Sequence, residues 1–258
     1  MAMRRLSKEQ MIAEFKKVKA MGWIQSVRPL NVGGIGNTID QLLGFPENNL
    51  PIADTAQWEL KSHRQRSASL ITLLHMEPQP RSAYIVPRLL IPFYGWPDKK
   101  HPEGLCFHQT LRATQFTDRG FKIEIDADLQ RVAVVFHAEK VESHHQGWLQ
   151  TVDNRIGLGP LEPQPYWDLQ QLSLNISTKM LNTFFVSTDT RRTGEGEMFK
   201  IESIMILQGF SFELFLQALE TGVARVDFDS TFYHNHGTKY RIYDRDLPAL
   251  YRYVDTVA

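Results

Sequence analysis

One cysteine, Cys106, occurs in 258 residues. An intrachain disulfide is impossible, and a zinc cluster built from cysteines is excluded. No apolar run reaches the roughly 20 residues a helix needs to cross a bilayer. The opening MAMRRLSKEQMIAEFKKVKAMG is charged throughout and lacks the apolar block of a secretion signal, so the expectation is a reducing cytoplasm and no membrane. Neither charge is in surplus: Lys+Arg and Asp+Glu both total 29. Bulk electrostatics therefore announces no nucleic-acid or membrane partner, and a DNA binder with this balance has to segregate basic walls from acidic ones. Internal repeats, low-complexity blocks and a convincing linker are absent too. GGIGNT is followed by no GKS/T, so a nucleotide P-loop is rejected. No Ser-His-Asp or Cys-His arrangement has supporting context, and Cys106 beside Phe107 reads as packing.

What is present is an ordinary globular composition, 42% hydrophobic and 22% charged, enough for a sizeable core. Ser7 predicts an N-cap, with Met11, Ile12, Phe15, Val18 and Met21 at helical spacing up to Gly22. Asn37 or Thr38 is expected to cap a short helix through IDQLLG. AQWELKS and SASLITLLHM read as two arms of a hairpin around HRQRS. GFKIEIDADLQRVAVVFHAEKV reads as a strand pair, and DLQQLSLNISTKMLNTFFVST as a helix running into a strand. SFELFLQALETG predicts a helix and VARVDFDST a strand. HNHGTKYRIY predicts turn and strand, and LPALYRYV a final short helix. Helices and strands do not alternate regularly, so the expected architecture is one mixed α/β domain with a cleft between two lobes. The lobes are placed at about residues 1–100 and 101–258.

The stretch NNLPIADTAQWELKSHRQ carries the chemistry. Alternation along a strand puts Glu59 and Lys61 on one face and Trp58 and Leu60 on the other, toward a core. Asp54 lies at the strand's start, where a turn can swing it into the same space. Two carboxylates suit Mg²⁺, which takes a few acids plus waters and substrate phosphates. A neighbouring lysine can hold the attacking water or stabilise charge on the phosphate. The competing reading is a solvated Glu59–Lys61 ion pair of little energetic value.

Other candidates cluster near the C-terminus. HNHGTKYR brings His234, His236, Lys239 and Arg241 onto one turn and strand, a set suited to base edges or phosphates, or else an exposed hairpin with incidental charges. Asp227 and Asp229 share a face with Arg225 and could accept from cytosine amino groups, or lie along a solvent-facing strand edge. Arg64 in HRQRS could touch phosphates or lie in a solvated loop, and Asn37 or Thr38 could meet the DNA backbone. His144 and His145 read as surface decoration, and TRRTGEGE, with Arg191 and Arg192, as a DNA-clamping loop or plain disorder.

GGIGNTIDQLLGFPENN followed by IADTAQWELKSHR resembles the MvaI/BcnI family of type II restriction endonucleases, which share the fold of the repair nickase MutH. The segments YGWPDKK, CFHQTLRA, GFKIEID, GFSFELFLQALETGVARVDFD and HNHGTKYRI resemble family segments in family order, from about residue 25 onward. Two departures stand out. The helix acid, often Glu, is Asp40 here, and Ala53 precedes Asp54 where the family signature has Pro. The resemblance implies a restriction-endonuclease-like fold, with a mixed central sheet flanked by helices and two lobes around a DNA cleft. It implies Mg²⁺ held by Asp54 and Glu59 with Asp40 in support, Mn²⁺ as a substitute, and Ca²⁺ binding without cleavage. Lys61 would orient the water, giving a 3′-hydroxyl and a 5′-phosphate. His234 or His236 would read the central pair, Arg241 a guanine, and His75 the minor groove. The implied protein is a monomer cutting double-stranded DNA at a short, GC-rich site, with a cognate methyltransferase acting on the same site. A strand-specific repair nickase and a catalytically dead DNA-binding module are the alternatives.

Overall fold

The computed structural model describes residues 6–28, 33–45, 58–65, 67–194 and 196–257. In chain order the elements are α1 (Lys8–Ala20), β1 (Ile24–Gln25), α2 (Gly34–Leu43), β2 (Glu59–Arg64), β3 (Ile71–His75), α3 (Ile91–Tyr94), β4 (Trp96–Pro97), β5 (Leu105–Leu111), β6 (Arg119–Asp126) and β7 (Arg131–Val141). Then come α4 (Gln146–Ile156), β8 (Tyr166–Asp168), α5 (Leu169–Met180), β9 (Asn182–Thr193), β10 (Gly196–Phe210), α6 (Phe212–Glu220), β11 (Arg225–Thr231), β12 (Asn235–Ile242) and β13 (Tyr251–Val257). A π-helical turn, Val86–Leu90, leads into α3, and a 3₁₀ segment, Asp244–Leu250, into β13. No helix among the described residues is long and apolar enough to cross a membrane.

The chain divides into two compact units interleaved in sequence. The first takes the described residues of Met1–Ile71, Asn175–Phe212 and Tyr243–Ala258, and the second those of Thr72–Leu174 and Glu213–Ile242.

In the first unit the sheet runs β1-β10-β9-β2, with β13 also paired to β10. The β2–β9 pairing is parallel, and β10 is antiparallel to β9, β1 and β13. Helix α1 begins at the predicted cap. The Ser7 hydroxyl accepts from the Gln10 amide at 3.2 Å, and the Gln10 side chain accepts from the Ser7 amide at 2.8 Å. This reciprocal pair satisfies two orphan donors. Its apolar face, Met11, Phe15 and Val18, packs with Ile35, Ile39 and Leu43 of α2, with Trp58 just before β2, and with Phe184, Phe199 and Ile204 of the sheet. Trp58 thus occupies the core side of the strand region, as alternation predicts.

The second unit holds a sheet in the order β3-β12-β11-β5-β4 and a three-stranded sheet β6-β7-β8. Its core is aromatic: Tyr94, Phe107, Phe121 and Phe136 meet largely edge-on, with centroids 5.0–5.9 Å apart. The Trp167 indole, fully buried, donates to the Met76 carbonyl at 2.8 Å.

Three local expectations are corrected. AQWELKS and SASLITLLHM do not form a hairpin: β2 pairs with β9, while β3 joins β12 in the other sheet. Parallel pairing with a strand more than a hundred residues away leaves no local sequence signal. Asn37 and Thr38 lie inside α2, whose N-cap is Gly33. The Thr38 hydroxyl bonds back to the Gly34 carbonyl at 2.7 Å and accepts from the Val27 amide at 3.0 Å. LPALYRYV is helical only in its first half, which ends the 3₁₀ segment Asp244–Leu250; its second half is β13, an alternating Tyr-x-Tyr run that suits the sheet better.

Candidate active site

Register places the first cluster. Glu59 lies opposite Thr183, and Lys61 opposite Phe185, in the β2–β9 pair. Glu59 and Lys61 therefore project to one side, and that side is covered. Glu59 is 2% exposed, and the Lys61 ammonium donates to its Oε1 at 2.5 Å. A second ammonium, that of Lys179 in the last turn of α5, lies 3.3 Å from the same oxygen. Glu59 Oε2 is buried and has no hydrogen-bond partner among the described residues. The pair is thus not the solvated surface pair of the competing reading. Opposite Glu59, the Thr183 hydroxyl and Tyr251 phenol are 2.7 Å apart. Burial holds the Tyr251 phenol well above its ordinary pKa. The Thr183 hydrogen bond works against that rise, and the charge of Glu59 adds to it.

Helix α2 lies against this strand. Gly34 is there for contact: a Cβ on it would stand 2.3 Å from the Arg28 carbonyl oxygen. One turn on, Gly36, Ile39 and Asp40 line a cavity of about 80 Å³ together with Leu60, Lys61, Ser62 and Val186. Asp40 and Lys61 thus share one small space. The Asn37 amide, oriented to satisfy both ends, donates to the Gly33 carbonyl and accepts from Arg28. Arg64 forks onto Glu197, at 2.9 Å and 2.7 Å. Asp54, with Arg66, lies outside the described residues.

The second cluster belongs to the other unit. β11 is the middle strand of its sheet, not a solvent-facing edge. Val226 and Phe228 are buried on one face, and Arg225, Asp227 and Asp229 take the other. On that face Arg225 lies opposite Arg241 and Asp227 opposite Lys239. Asp227 accepts from Arg241 at 2.8 Å and from the Thr110 hydroxyl at 2.7 Å, and Asp229 accepts from Lys239 at 2.8 Å. Lys239 and Arg241 of HNHGTKYR are therefore ordered by a carboxylate ladder. His234 and His236 meet with centroids 4.3 Å apart on the exposed turn. His75, at the exposed end of β3, borders that turn: a Cβ on Gly237, which holds φ +81°, would lie 3.3 Å from its Nδ1. A residue with no sequence signal fixes the turn. Glu77 accepts from the Thr238 amide and hydroxyl, both at 3.1 Å, and from Asn235 at 3.3 Å.

Lys179, Tyr251 and Glu77 come from parts of the chain that carry no motif. Lys179 sits in an amphipathic helix end and Tyr251 in a strand read as helix, so no spacing rule could have gathered them.

The family model described as the MvaI/BcnI restriction endonuclease family matches residues 12–251. No curated protein matches the chain. Among solved structures, one titled "Restriction endonuclease MvaI-cognate DNA substrate complex" aligns with a TM-score of 0.79 at 23% identity, covering 98% of this chain and all of that one. Another, "Restriction endonuclease MvaI in the absence of DNA", aligns with a TM-score of 0.52 at 22% identity, covering 99% and 100%. At these identities the likeness carries the fold, which is restriction-endonuclease-like.

Proposed function

The chain belongs to the MvaI/BcnI restriction endonuclease family, and on that footing we propose that it hydrolyses phosphodiester bonds in double-stranded DNA at a short, GC-rich sequence with Mg²⁺. The observation that carries the reading is the buried Glu59 carboxylate, one oxygen between two ammonium groups and the other with no hydrogen-bond partner among the described residues. A buried carboxylate oxygen without a donor is expensive to keep unless a cation takes it. The donor set therefore fits a hard divalent ion, held by Glu59 and Asp54 with Asp40 in support. When bound, such an ion supplies Lewis-acid charge to the scissile phosphate. Lys61 orients the attacking water, and its bond to Glu59 fixes the direction of its remaining protons. Cleavage leaves a 3′-hydroxyl and a 5′-phosphate. Mn²⁺ substitutes, and Ca²⁺ binds without supporting cleavage.

On this reading the carboxylate ladder of β11 and β12 presents Arg225, Arg241, Lys239, Asp227 and Asp229 to base edges, with His75, His234 and His236 beside them. The enzyme works as a monomer in a prokaryotic cytoplasm, and a methyltransferase protects the same site. The test is digestion of unmethylated phage and plasmid DNA with Mg²⁺, with Lys61→Ala alongside. Discrete fragments from the parent alone are expected, and their ends give the recognition sequence. Intact DNA with both proteins in Mg²⁺ and in Mn²⁺, across several unmethylated genomes, would overturn the reading.

A further inference from the structure

The second unit contains a concavity of about 1140 Å³ whose wall includes Asp98, Cys106, His108 and Asp229. Nothing in the proposed phosphodiester chemistry uses the first three. Cys106 and His108 are two apart on β5, so they share a face, while Phe107 between them is buried in the aromatic core. The β4–β5 pairing sets Trp96 opposite Cys106, and the chain leaving β4 brings in Asp98. One ligand atom from each of Asp98, Cys106 and His108 lies within 4.8 Å of the other two.

The histidine is held as a metal ligand would be. Its Nδ1 faces Asp229 Oδ1 at 3.2 Å, and Asp229 is fixed in turn by Lys239 at 2.8 Å. That leaves Nε2 directed at Asp98 Oδ2, 3.5 Å away. A carboxylate on the far nitrogen sets the tautomer and orients the ring. Asp98 is fixed as well: its Oδ1 accepts from the amides of Lys100 at 2.7 Å and His101 at 3.0 Å. A tetrahedral ion with bonds of about 2.0–2.3 Å holds its donors roughly 3.3–3.8 Å apart, so only a small closing of the cluster is needed.

We propose that Asp98, Cys106 and His108 form a binding site for a borderline transition-metal ion of the Zn²⁺ class, with the fourth position open to the concavity. Thiolate plus imidazole selects such an ion over Mg²⁺, which prefers oxygen ligands. The site is distinct in chemistry from the Glu59 cluster and lies in the other unit. Binding breaks the Cys106 Sγ–H bond, forms the Sγ–metal bond and releases the proton to buffer, with no change of oxidation state. The ion would tie β4, β5 and, through Asp229, β11. A second cluster, Asp118, His144 and His145, lines the same concavity. It is the poorer ligand set, since Arg119 already lies 3.3 Å from its carboxylate and it has no thiol.

The test uses the full chain, freed of metal by chelator and titrated with Co²⁺. Cys106 is the sole cysteine, so a thiolate-to-cobalt charge-transfer band can report no other residue. The expected result is a band that saturates at one equivalent and is bleached by one equivalent of Zn²⁺. Cys106→Ser should abolish it, and His108→Gln should weaken Co²⁺ affinity at least tenfold, with circular dichroism unchanged. Asp118→Asn and Glu59→Gln should leave it intact. No band from the parent, or a band indifferent to both His108→Gln and Asp98→Asn, would overturn the proposal. Should Cys106→Ser fail to fold, the half-exposed His108 still decides the matter.

Discussion

Glu59 shows how one side chain can organise a cluster. A carboxylate that is 2% exposed needs partners, and it has two ammonium groups on one oxygen. Removing one of them leaves buried charge less well compensated, which costs more than the loss of a surface pair. Lys179→Ala is therefore expected to lower stability by about 1–2 kcal/mol, read as a shift of the urea midpoint at constant slope. An unmoved midpoint would mean that Lys61 alone balances Glu59. Asp118 offers a pH test. Burial opposes its ionisation, but hydrogen bonds from His145 and Gln109 and the charge of Arg119 outweigh this and bring its pKa below the ordinary value. A depressed folded-state pKa contributes stability that is full above the unfolded value and lost as pH falls through the folded one. Asp118→Asn is thus expected to be less stable than the parent at about pH 6, with the gap starting to close only as pH falls below the unfolded carboxyl's value near 3.9 and vanishing once the folded carboxyl is protonated as well. Denaturant titrations at several pH values check this; a gap constant with pH would assign the loss to packing.

At the scale of elements, α2 is where backbone contact matters most. The approach of Gly34 to the Arg28 carbonyl, 2.3 Å from where a Cβ would stand, leaves no room for alanine although alanine is the better helix former. Gly34→Ala should destabilise by about 3 kcal/mol, the upper end for overpacking, and thermal denaturation measures it. A neutral or stabilising result would show that α2 can slide away from the Arg28 backbone. Gly34 also illustrates what the sequence could and could not convey. The glycines of GGIGNT read as a tight turn, because glycine signals backbone freedom without saying whether a turn or a neighbouring chain demands it. Elements whose signal is local were legible: the Ser7 cap, the β6–β7 hairpin, α5 running into β9, α6 with Gly222 after it. Legible too was the face shared by Glu59 and Lys61, since alternation is a property of the strand itself. Pairing partners were not. β2 finds β9 and β3 finds β12 through contacts distant in sequence, and for the same reason Lys179, Tyr251 and Glu77 could not be gathered in advance. The carboxylate ladder lay between these cases. The alternation of Arg225, Asp227 and Asp229 was visible, but only the central position of β11 supplies Lys239, Arg241 and Thr110 as partners.

For the molecule as a whole, the charges cancel, 29 against 29, so net charge supplies no attraction for DNA. Binding on the proposed reading rests on local groups, the β11–β12 ladder and its histidines, and cutting on the Glu59 cluster, of which the described residues hold one. One such cluster per chain has a kinetic consequence if the chain acts alone. The two strands of a duplex run in opposite directions, so one cluster meets their scissile phosphates in two different poses. The protein must let go of the first nicked strand, or turn on it, before cutting the second. A supercoiled plasmid with one recognition site is therefore expected to pass through an open circle before becoming linear. The height of that intermediate is set by the ratio of the two cutting steps and does not change with protein concentration once DNA is saturated. Sedimentation of the protein without DNA in the same buffer should give a single species near the chain mass of 29.8 kDa. Linear product forming without an open circle, at a rate rising with the square of protein concentration, would instead mean that two copies cut together. In that case the fold would be the same and the monomer reading would be lost, while the roles of Glu59 and Lys61 would stand.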